Sequence, residues 1–474
     1  MSGSIVPESS SHCLLTRIRE HGGKTVLHEA AHSRSYAELS LAIDDWRVRL
    51  QRDEVPPGAT VALVADYSFA AIALFLALAA NRNIIVPVTS TVAEEIRERV
   101  ELARVGWIFR PGLDGWSFAR LHDQGEVPGL VAGLVDSERA GLILFSSGST
   151  GRPKAMVHDL DRLLETYRGK RTRNLTILVF LMFDHIGGLN TLFTALASGT
   201  TVVLPASRDA DEICALISRH RVVVLPASPT FLNLILVGEA WKRHDLSSLK
   251  IVTYGTEPMP ESLLQRLRRA FPAVRFVQTF GTSETGISHT SSKSSDSTLL
   301  KLDDPNTEFR IVDGELWLRS RTQILGYLNH TMDSFTDDGW FKTGDLVEQA
   351  DAGYLRIVGR RKELINVGGE KVLPAEVESV LLEMPEVSDA IVFGESSAIT
   401  GQIVCANIVL SASGNPASIR VAVRKFCRER LAGYKVPVKV TAVDRVLFGD
   451  RFKKVRLAGG AAVRSRTEPH VRPD

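Results

Sequence analysis

Residues 142–158 carry the spacing that most directly suggests chemistry. They read LILFSSGSTGRPKAMVH, an apolar run followed by small hydroxyl and glycine residues and then by a lysine. Small residues let the backbone approach a ligand closely, and hydroxyls and backbone N–H groups bind phosphate oxygens. The sequence therefore predicts a phosphate-binding loop, formed by Ser146, Ser147, Gly148, Ser149, Thr150, Gly151 and Lys154.

The order of residues in this loop differs from that of the usual P-loop. A P-loop ends in a lysine followed directly by serine or threonine, whereas Ala155 follows Lys154 here. A flexible Ser/Gly linker is the alternative interpretation. Because an apolar strand pattern leads directly into the loop, phosphate binding is favoured over a linker.

Strand and helix patterns alternate around this loop. Strand patterns occupy residues 60–64, 84–87, 176–182, 201–204, 222–225, 250–254 and 275–279. Helix patterns occupy residues 36–50, 68–80, 188–198, 210–220, 229–236 and 260–270. This alternation predicts an α/β fold with a parallel sheet covered by helices, and ligands of such sheets bind at the carboxyl ends of the strands.

The pattern changes after Gly286. Residues 287–298 are polar and predict a loop, and Asp313-Gly314 then predicts a hairpin turn between two short strands. From about Arg360 onward the sequence predicts a smaller α+β unit, and residues 459–474 predict a frayed tail.

Length and composition exclude several classes of protein. The 474 residues are enough for two or more domains, and a net charge of +2 gives no field that would drive nucleic-acid binding. The four cysteines are scattered without metal-like or disulfide-like spacing, and the apolar stretch 69–80 is too short to span a membrane. With no secretory signal pattern at the N-terminus, the sequence predicts a cytoplasmic protein.

Several further motifs follow the loop in order. They are FDHIGGL at 183–189, YGTEPM at 254–259, QTFGTSE at 278–284, GYLN at 326–329, WFKTGD at 340–345, GRRKE at 359–363 and GGEK at 368–371. In order and spacing they resemble the adenylate-forming superfamily of acyl- and aryl-CoA ligases, adenylation domains and beetle luciferases. The resemblance extends from about Tyr36 to Arg456 and is closest to the acyl- or aryl-CoA ligases.

This resemblance implies a two-domain architecture. A large N-terminal adenylation domain of layered, mostly parallel sheets with helices and a small β-rich subdomain would cover residues 1–359. A hinge would follow at 360–363, where Lys362 is the expected pivot, and a small mobile α+β domain would cover 364–474.

The resemblance also implies the chemistry. A carboxylate would attack the α-phosphorus of ATP to form acyl-AMP and pyrophosphate, which requires two anions to meet in a site that neutralises charge. Glu284 would help to hold Mg²⁺. The remaining expected nucleotide-binding residues are Thr256, Glu257, Phe280, Gly281, Thr282, Ser283, Asp345 and Arg360. Within that set, Phe280 would stack on adenine, and Asp345 would accept hydrogen bonds from the ribose hydroxyls.

Two parts of the expected active site, one at residues 184–185 and one at residues 452–454, differ from the usual family pattern or leave alternatives open. His185 falls at the carboxylate end of the acyl pocket in the resemblance, whereas Asp184 either points away, caps the helix or holds a substrate ammonium. The activating lysine of the family corresponds to Lys453 when counted without gaps, with Lys454 as the alternative. Phe452 stands where relatives usually have glycine.

The second implied reaction is attack of a thiol on acyl-AMP, with Gly368 and Gly369 lining the path of the pantetheine arm. The predicted function is thus an ATP-dependent acid–thiol ligase that joins a small carboxylic acid to CoA. Loading of a carboxylic or amino acid onto the phosphopantetheine of an acyl carrier protein is the first alternative. A non-catalytic nucleotide- or acyl-binding protein on the same fold is the second.

Overall fold

The structure is a computed structural model that describes residues 10–112, 115–121, 125–147, 152–444, 448–449, 452–454 and 456. Four residues of the predicted phosphate loop, Gly148, Ser149, Thr150 and Gly151, lie outside the described residues. The predicted tail at 459–474 also lies outside them.

Helices occur throughout the described residues, and where the sequence predicted a helix in the body its bounds agree closely with the pattern. The α-helices are α1 Ser10–His21, α2 Tyr36–Arg52, α3 Phe69–Ala80, α4 Ala93–Leu102, α5 Gly129–Asp136, α6 Leu160–Glu165, α7 Ile186–Ser198, α8 Ala210–His220, α9 Pro229–Val237, α10 Ala240–Arg243, α11 Glu261–Ala270, α12 Pro374–Leu381 and α13 Ile419–Arg428. Short 3₁₀ turns occur at Asp351–Gly353, Arg361–Glu363 and Gly433–Lys435.

Strands outnumber helices among the described residues. They are β1 Thr25–Glu29, β2 His32–Ser35, β3 Thr60–Val64, β4 Ile84–Val88, β5 Trp107–Gly112, β6 Gly115–Arg120, β7 Gly141–Ser147, β8 Pro153–Asp159, β9 Thr176–Leu178, β10 Thr201–Leu204, β11 Val224–Ala227, β12 Ile251–Tyr254, β13 Arg275–Gln278, β14 Phe280–Thr282, β15 Gly286–Ser288, β16 Thr290–Ser292, β17 Leu299–Leu302, β18 Thr307–Val312, β19 Glu315–Ser320, β20 Gly326–Tyr327, β21 Phe341–Gln349, β22 Leu355–Arg360, β23 Ile365–Val367, β24 Glu370–Val372, β25 Val387–Ser397, β26 Gly401–Leu410 and β27 Lys439–Ala442.

Two seven-stranded sheets form the body of the molecule. The first has the order β13-β12-β11-β9-β10-β1-β2 and is parallel except at its β1–β2 edge. The second has the order β20-β8-β7-β4-β3-β5-β6, with parallel central strands and antiparallel outer pairs. Helices α3 and α7 lie in the core between these sheets, and nearly every side chain of α3 is buried there.

A smaller antiparallel region follows the body. The order of its main sheet is β16-β17-β22-β21-β19-β18, and β18 and β19 form the predicted hairpin around Asp313-Gly314. The prediction of a loop at residues 287–298 is wrong, because β15 and β16 occupy part of it. Thr290 donates a hydrogen bond from Oγ1 to the carbonyl of Gln278 (2.7 Å), and Ser292 Oγ accepts one from Gln278 N–H (2.7 Å), so these polar side chains attach the segment to β13.

The C-terminal unit has its own sheet and core. Its strands follow the order β24-β23-β26-β25, with β27 parallel to β26, and α12 and α13 pack against them. Hydrogen bonds that join this unit to the body include one from Ser262 Oγ to the carbonyl of Ser379 (3.1 Å) and one from Asn233 Nδ2 to that of Ser388 (3.3 Å). The unit therefore sits against α9 and α11 of the body.

Local sequence explains where several of these helices begin. Ser35 and Glu38 form a reciprocal capping box at α2, and Ser68 caps α3 by accepting from Ala71 N–H. Ser228 caps α9, whose first helical residue is Pro229. Within the described ranges, no helix combines the length and apolar character that crossing a membrane requires.

Replacement of Gly188 by alanine should destabilise the start of α7. A Cβ at Gly188 would lie 2.2 Å from the carbonyl oxygen of Met182 and 2.7 Å from the Tyr67 hydroxyl, so the backbone must move. We expect a loss of about 1–3 kcal/mol in the free energy of unfolding, measured by urea titration. The matched control is Gly133→Ala in α5, where a Cβ meets nothing within 4 Å and should stabilise the helix by about 0.5–1 kcal/mol. Equal effects of both substitutions would contradict the packing at α7.

Candidate functional site

A cavity of about 580 Å³ lies where the ends of several body strands meet the C-terminal unit. Its walls come from β8, from the start of α7, from the ends of β11 and β12, from residues 279–287 and from β21. Residues 360–362 and Lys453 close it from the side of the C-terminal unit. The cavity occupies the strand edge at which a ligand site was predicted.

The charges that line this cavity are strongly unbalanced. Among the described lining residues, Glu284 is the single carboxylate. The cationic lining residues are Lys154, Lys342, Arg360, Arg361, Lys362 and Lys453. Clefts lined by one sign of charge concentrate ligands of the opposite sign, so the cavity favours a polyanion.

The described flanks of the predicted phosphate loop meet at the cavity. Strands β7 and β8 pair antiparallel, with Ser146 opposite Lys154, and both residues line the cavity. The Nζ atom of Lys154 lies 5.5 Å from the centre of the Tyr327 ring. Ser146 and Lys154, on either side of the undescribed part of the loop, therefore both lie at the cavity.

Glu284 is held in place by Tyr327. The Tyr327 hydroxyl donates a hydrogen bond to Glu284 Oε1 (3.2 Å), and burial, together with the charge of Glu284, raises the pKa of that hydroxyl so that it remains a donor. No group of three or more His, Cys, Asp or Glu residues that could hold a metal occurs in the described ranges. A lone carboxylate beside a polyanion site fits Mg²⁺, which is commonly held by one or two carboxylates together with phosphate oxygens.

Asp345 lies beneath Arg360. The two residues face each other across β21 and β22, and Arg360 Nε donates to Asp345 Oδ1 at 3.0 Å. Burial raises the pKa of the Asp345 carboxyl, while the charges of Arg360 and Lys453 act in the opposite direction. Arg360 lines the cavity, whereas the Asp345 side chain is buried behind it.

The segment after β13 supplies a continuous wall. Phe280, Gly281, Thr282 and Ser283, which are expected to bind the nucleotide, all line the cavity. A Cβ at Gly281 would lie 2.6 Å from the carbonyl oxygen of Gly286, so the β14–β15 pairing requires glycine there. The hydroxyls of Thr282 and Thr285 form a hydrogen bond with an oxygen–oxygen distance of 2.9 Å.

The side chains of Thr256 and Glu257 point in different directions although the two residues are adjacent. Thr256 lines the cavity in a left-handed conformation (φ +74°) that β-branched residues rarely adopt, and its Oγ1 has no hydrogen-bond partner among the described residues. The prediction that Glu257 binds the nucleotide is wrong. Its carboxylate points away from the cavity and accepts a hydrogen bond from Thr230 N–H (2.7 Å) at the start of α9.

His185 is the residue that caps α7. Its Nδ1 accepts a hydrogen bond from Gly187 N–H (3.2 Å), and the ring lines the cavity. Asp184 is buried outside the cavity lining and pairs with Arg99 (Oδ2 to Nη1, 3.6 Å). Of the interpretations left open for Asp184, the structure therefore supports the one in which it points away.

Lys453 lines the cavity beside His185 and Thr256. The preceding residue, Phe452, has a left-handed backbone (φ +50°), and its carbonyl accepts a hydrogen bond from Ser228 Oγ (2.9 Å). The Phe452 ring packs against Phe180, Phe231 and Phe448 with centroid distances of 5.0–5.3 Å. Left-handed backbone costs about 1–2 kcal/mol in a non-glycine residue. The aromatic contacts offset that cost here.

Lys454 points in another direction. Its Nζ lies 3.1 Å from Asp389 Oδ1 and donates to the carbonyl of Ala390 (2.6 Å), with Glu378 Oε2 at 3.9 Å. Burial lowers the pKa of this lysine, but the carboxylates of Asp389, Glu378 and Glu257 outweigh burial and raise it. Lys454 is therefore a buried, ion-paired lysine away from the cavity.

Gly368 and Gly369 do not line the cavity. They form the exposed turn between β23 and β24 with φ of +62° and +95°, and Gly369 N–H donates to Asn366 Oδ1 (3.0 Å). In this arrangement the turn requires glycine for its backbone conformation. With Lys453 at the cavity, Gly368 and Gly369 lie outside its lining, and their contact with a pantetheine arm stays a prediction.

Comparison with known proteins decides the family. Residues 14–328 match the family described as AMP-binding enzyme, and residues 376–447 match the AMP-binding enzyme C-terminal domain. The chain belongs to the AMP-binding enzyme family. The predicted resemblance and the predicted fold class are both confirmed.

Curated relatives of this AMP-binding enzyme include two ligases. It is 32% identical over 330 residues to an indoleacetate–CoA ligase of Aromatoleum aromaticum, which covers 64% of this chain and 64% of that protein. It is 33% identical over 329 residues to a 2-succinylbenzoate–CoA ligase of Bacillus licheniformis, covering 65% of this chain and 67% of that one. The matched stretches thus span about two thirds of these relatives.

The fold of this AMP-binding enzyme is also found among solved structures. An anthranilate CoA ligase in complex with anthranoyl-AMP superposes with a TM-score of 0.78 over 96% of this chain and 97% of that chain. Because the two sequences are only 21% identical, the similarity establishes the shared fold.

Sequence reasoning left several lining residues of this AMP-binding enzyme without a role. Tyr327 and Lys342 belong to the motifs named above, and Arg361 follows Arg360 directly. Their positions in the sequence were therefore a reason to expect them at the site. Asn190 gave a weaker one, because a single asparagine within an apolar helix pattern is equally typical of a solvent-facing position.

Substitution of Lys454 by methionine should destabilise the protein. It removes the cation from the buried carboxylates of Asp389, Glu378 and Glu257, leaving charges that Arg456 only partly balances. We expect a loss of about 3–5 kcal/mol in the free energy of unfolding by urea titration.

The matched control for Lys454 is Lys439→Met. Lys439 also pairs with a carboxylate, that of Glu395, but it is exposed to solvent. Its removal should leave the unfolding midpoint essentially unchanged. A Lys454→Met protein as stable as this control would contradict the buried ion pairs.

Proposed function

We propose that this protein is an ATP-dependent carboxylic acid–thiol ligase that forms acyl-AMP and then an acyl-CoA thioester. The single observation that carries the proposal is the convergence of Lys453, Glu284 and Arg360 on one cationic cavity, with Asp345 paired to Arg360 directly behind the lining. The CoA ligase names of both curated relatives support the same reaction class. A non-catalytic binding protein would not need a lysine at this position.

In the first half-reaction a carboxylate oxygen attacks the α-phosphorus, and the bond to the β-phosphate oxygen breaks to release pyrophosphate. Lys453 bridges the carboxylate and the α-phosphate as negative charge builds up between them. His185, whose Nδ1 accepts a hydrogen bond from Gly187 N–H, lies with its ring at the cavity near the acid. This placement lets two anions approach each other.

The nucleotide is held by the opposite wall of the cavity. Phe280 stacks on the purine, and the cations Lys154 and Arg360 contact the phosphates. In the structure the Arg360 guanidinium covers the Asp345 carboxylate. Asp345 accepts hydrogen bonds from the ribose hydroxyls once Arg360 has turned toward the phosphates. Glu284 would hold Mg²⁺, which would neutralise phosphate charge when bound.

The second half-reaction requires a path by which a thiol reaches the acyl-AMP. The sulfur of a thiolate attacks the acyl carbonyl carbon, and the bond to the AMP oxygen breaks. We infer that the unit from residue 364 onward rotates about residues 360–363, with residues 1–359 as the fixed domain. That rotation withdraws Lys453 and brings Gly368 and Gly369 to the cavity.

CoA is the proposed acceptor because both relatives are named as CoA ligases. A carrier-protein phosphopantetheine has the same sulfur nucleophile and is the alternative to exclude. We also infer a cytoplasmic setting, where ATP and CoA are available and the buried thiols of Cys214, Cys405 and Cys427 remain reduced.

Substitution of Lys453 by alanine should abolish acid-dependent exchange of pyrophosphate into ATP. Loss of a preorganised cation at the developing charge lowers the rate by about 10²–10³-fold. Thiolysis of supplied acyl-AMP should remain close to that of the unsubstituted protein, because the lysine acts in the first step only. Exchange is measured with radiolabelled pyrophosphate across fatty, aryl and amino acids, followed by addition of CoA and mass detection of the thioester.

The control is Lys439→Ala, which leaves the cavity unchanged and should exchange at the normal rate. Normal exchange in Lys453→Ala would show that another group activates the acid. Absence of exchange with every acid, together with measurable ATP binding, would instead favour the non-catalytic protein.

A further inference from the structure

One part of the cavity carries no charged side chain among its described lining residues. It is built by the first turns of α7 and by the ends of β11 and β12, and its wall consists of Ile186, Gly187, Asn190, Thr191, Pro226, Ala227 and Thr253. The charged lining residues all belong to other elements. A substrate tail with its own charge would be desolvated there without a partner.

An amino acid is a poor fit to this part of the cavity. The carboxylate that could hold an ammonium, Asp184, is buried and paired with Arg99 at 3.6 Å. It does not line the cavity. The uncharged region therefore suits a monocarboxylic acid whose tail is neutral.

Asn190 gives this region a directed polar group. The Tyr167 hydroxyl donates a hydrogen bond to Asn190 Oδ1 at 2.8 Å, and Tyr167 is buried. Burial raises the pKa of Tyr167, which keeps the hydroxyl protonated as a donor. Asn190 lines the cavity, and with its carbonyl oxygen engaged in this way its Nδ2 amide hydrogens are the group left to donate to a ligand.

The position of Asn190 along α7 sets the length of the tail. Asn190 follows His185 by five residues, which corresponds to about 7.5 Å along the helix axis. It shares a helix face with Ile186 and Gly187, so the wall between the two polar residues is apolar. An acid with its carboxylate near Lys453 and His185 would place the end of a ring or short chain at Asn190.

We propose that Asn190 is a specificity-determining residue and that the substrate is a monocarboxylic acid whose uncharged tail ends in a hydrogen-bond acceptor such as a carbonyl oxygen. This proposal rests on the proposed function, since it assumes that the acid reacts beside Lys453. Tyr167 is a positioning residue, because it fixes the orientation of the Asn190 amide.

Matched pairs of acyl sulfamoyladenosines, stable mimics of acyl-AMP, test this assignment on the full chain. One pair carries 4-acetylbenzoyl or 4-isopropylbenzoyl, and the other carries 4-oxopentanoyl or 4-methylpentanoyl. Within a pair the two tails have nearly the same shape and differ in one acceptor. Calorimetric titration should show the carbonyl-bearing member of at least one pair binding about tenfold or more tightly.

Two variants test whether the Asn190 amide is the group that binds the acceptor. Asn190→Leu should reduce the preference to unity or reverse it. Tyr167→Phe should weaken the preference without abolishing binding, an effect that loss of a merely structural hydroxyl would not produce. If Asn190→Leu fails to fold because the Tyr167 hydroxyl loses its partner, the double variant Asn190→Leu/Tyr167→Phe removes both groups together.

The outcomes separate this inference from the proposed function. Tight binding of all four mimics without preference overturns the role of Asn190 and leaves the ligase function intact. A preference that persists in Asn190→Leu also overturns the role of Asn190. Binding of none of the four overturns the adenylate site itself and the inference with it.

Discussion

The position of Lys453 depends on its two neighbours in the chain. Phe452 is inserted among aromatic rings of the body and accepts a hydrogen bond from Ser228, whereas Lys454 is paired with carboxylates of the C-terminal unit. The backbone between these anchors leaves Lys453 facing the cavity. Since one anchor lies in each unit, the same contacts that place the lysine also fix the unit against the body.

Charge neutralisation links the remaining features of the site. In the proposed reaction a carboxylate and a triphosphate would repel each other, and the excess of cations around the cavity would offset that repulsion. Burial of Asp345 raises its pKa, so its ionised form depends on Arg360 and Lys453 nearby. A site assembled from both units would change its electrostatics if the units moved, and the two proposed reactions, with different nucleophiles, would need such a change.

Periodicity predicted the elements of the body well. The bounds of β3, β10 and α8 coincide with the sequence patterns, because each has a regular apolar repeat and a clear capping or turn signal. The loop predicted at residues 287–298 failed, since its hydroxyl groups bind the backbone of β13 instead of water. The carboxylate of Glu257 was misplaced because a motif fixes spacing but not side-chain direction. Asn190 required three-dimensional information, since its hydrogen bond with Tyr167 and its place in the cavity wall are not visible in the sequence pattern.

A crystal structure of the protein with ATP and Mg²⁺ tests the central claim most directly. The account predicts the purine against Phe280, the ribose hydroxyls on the Asp345 carboxylate and the α-phosphate within about 3 Å of Lys453 Nζ, the distance of a charge-assisted hydrogen bond. A nucleotide bound outside the cavity, or inside it with Lys453 directed to solvent while Phe452 keeps its aromatic contacts, would contradict the account.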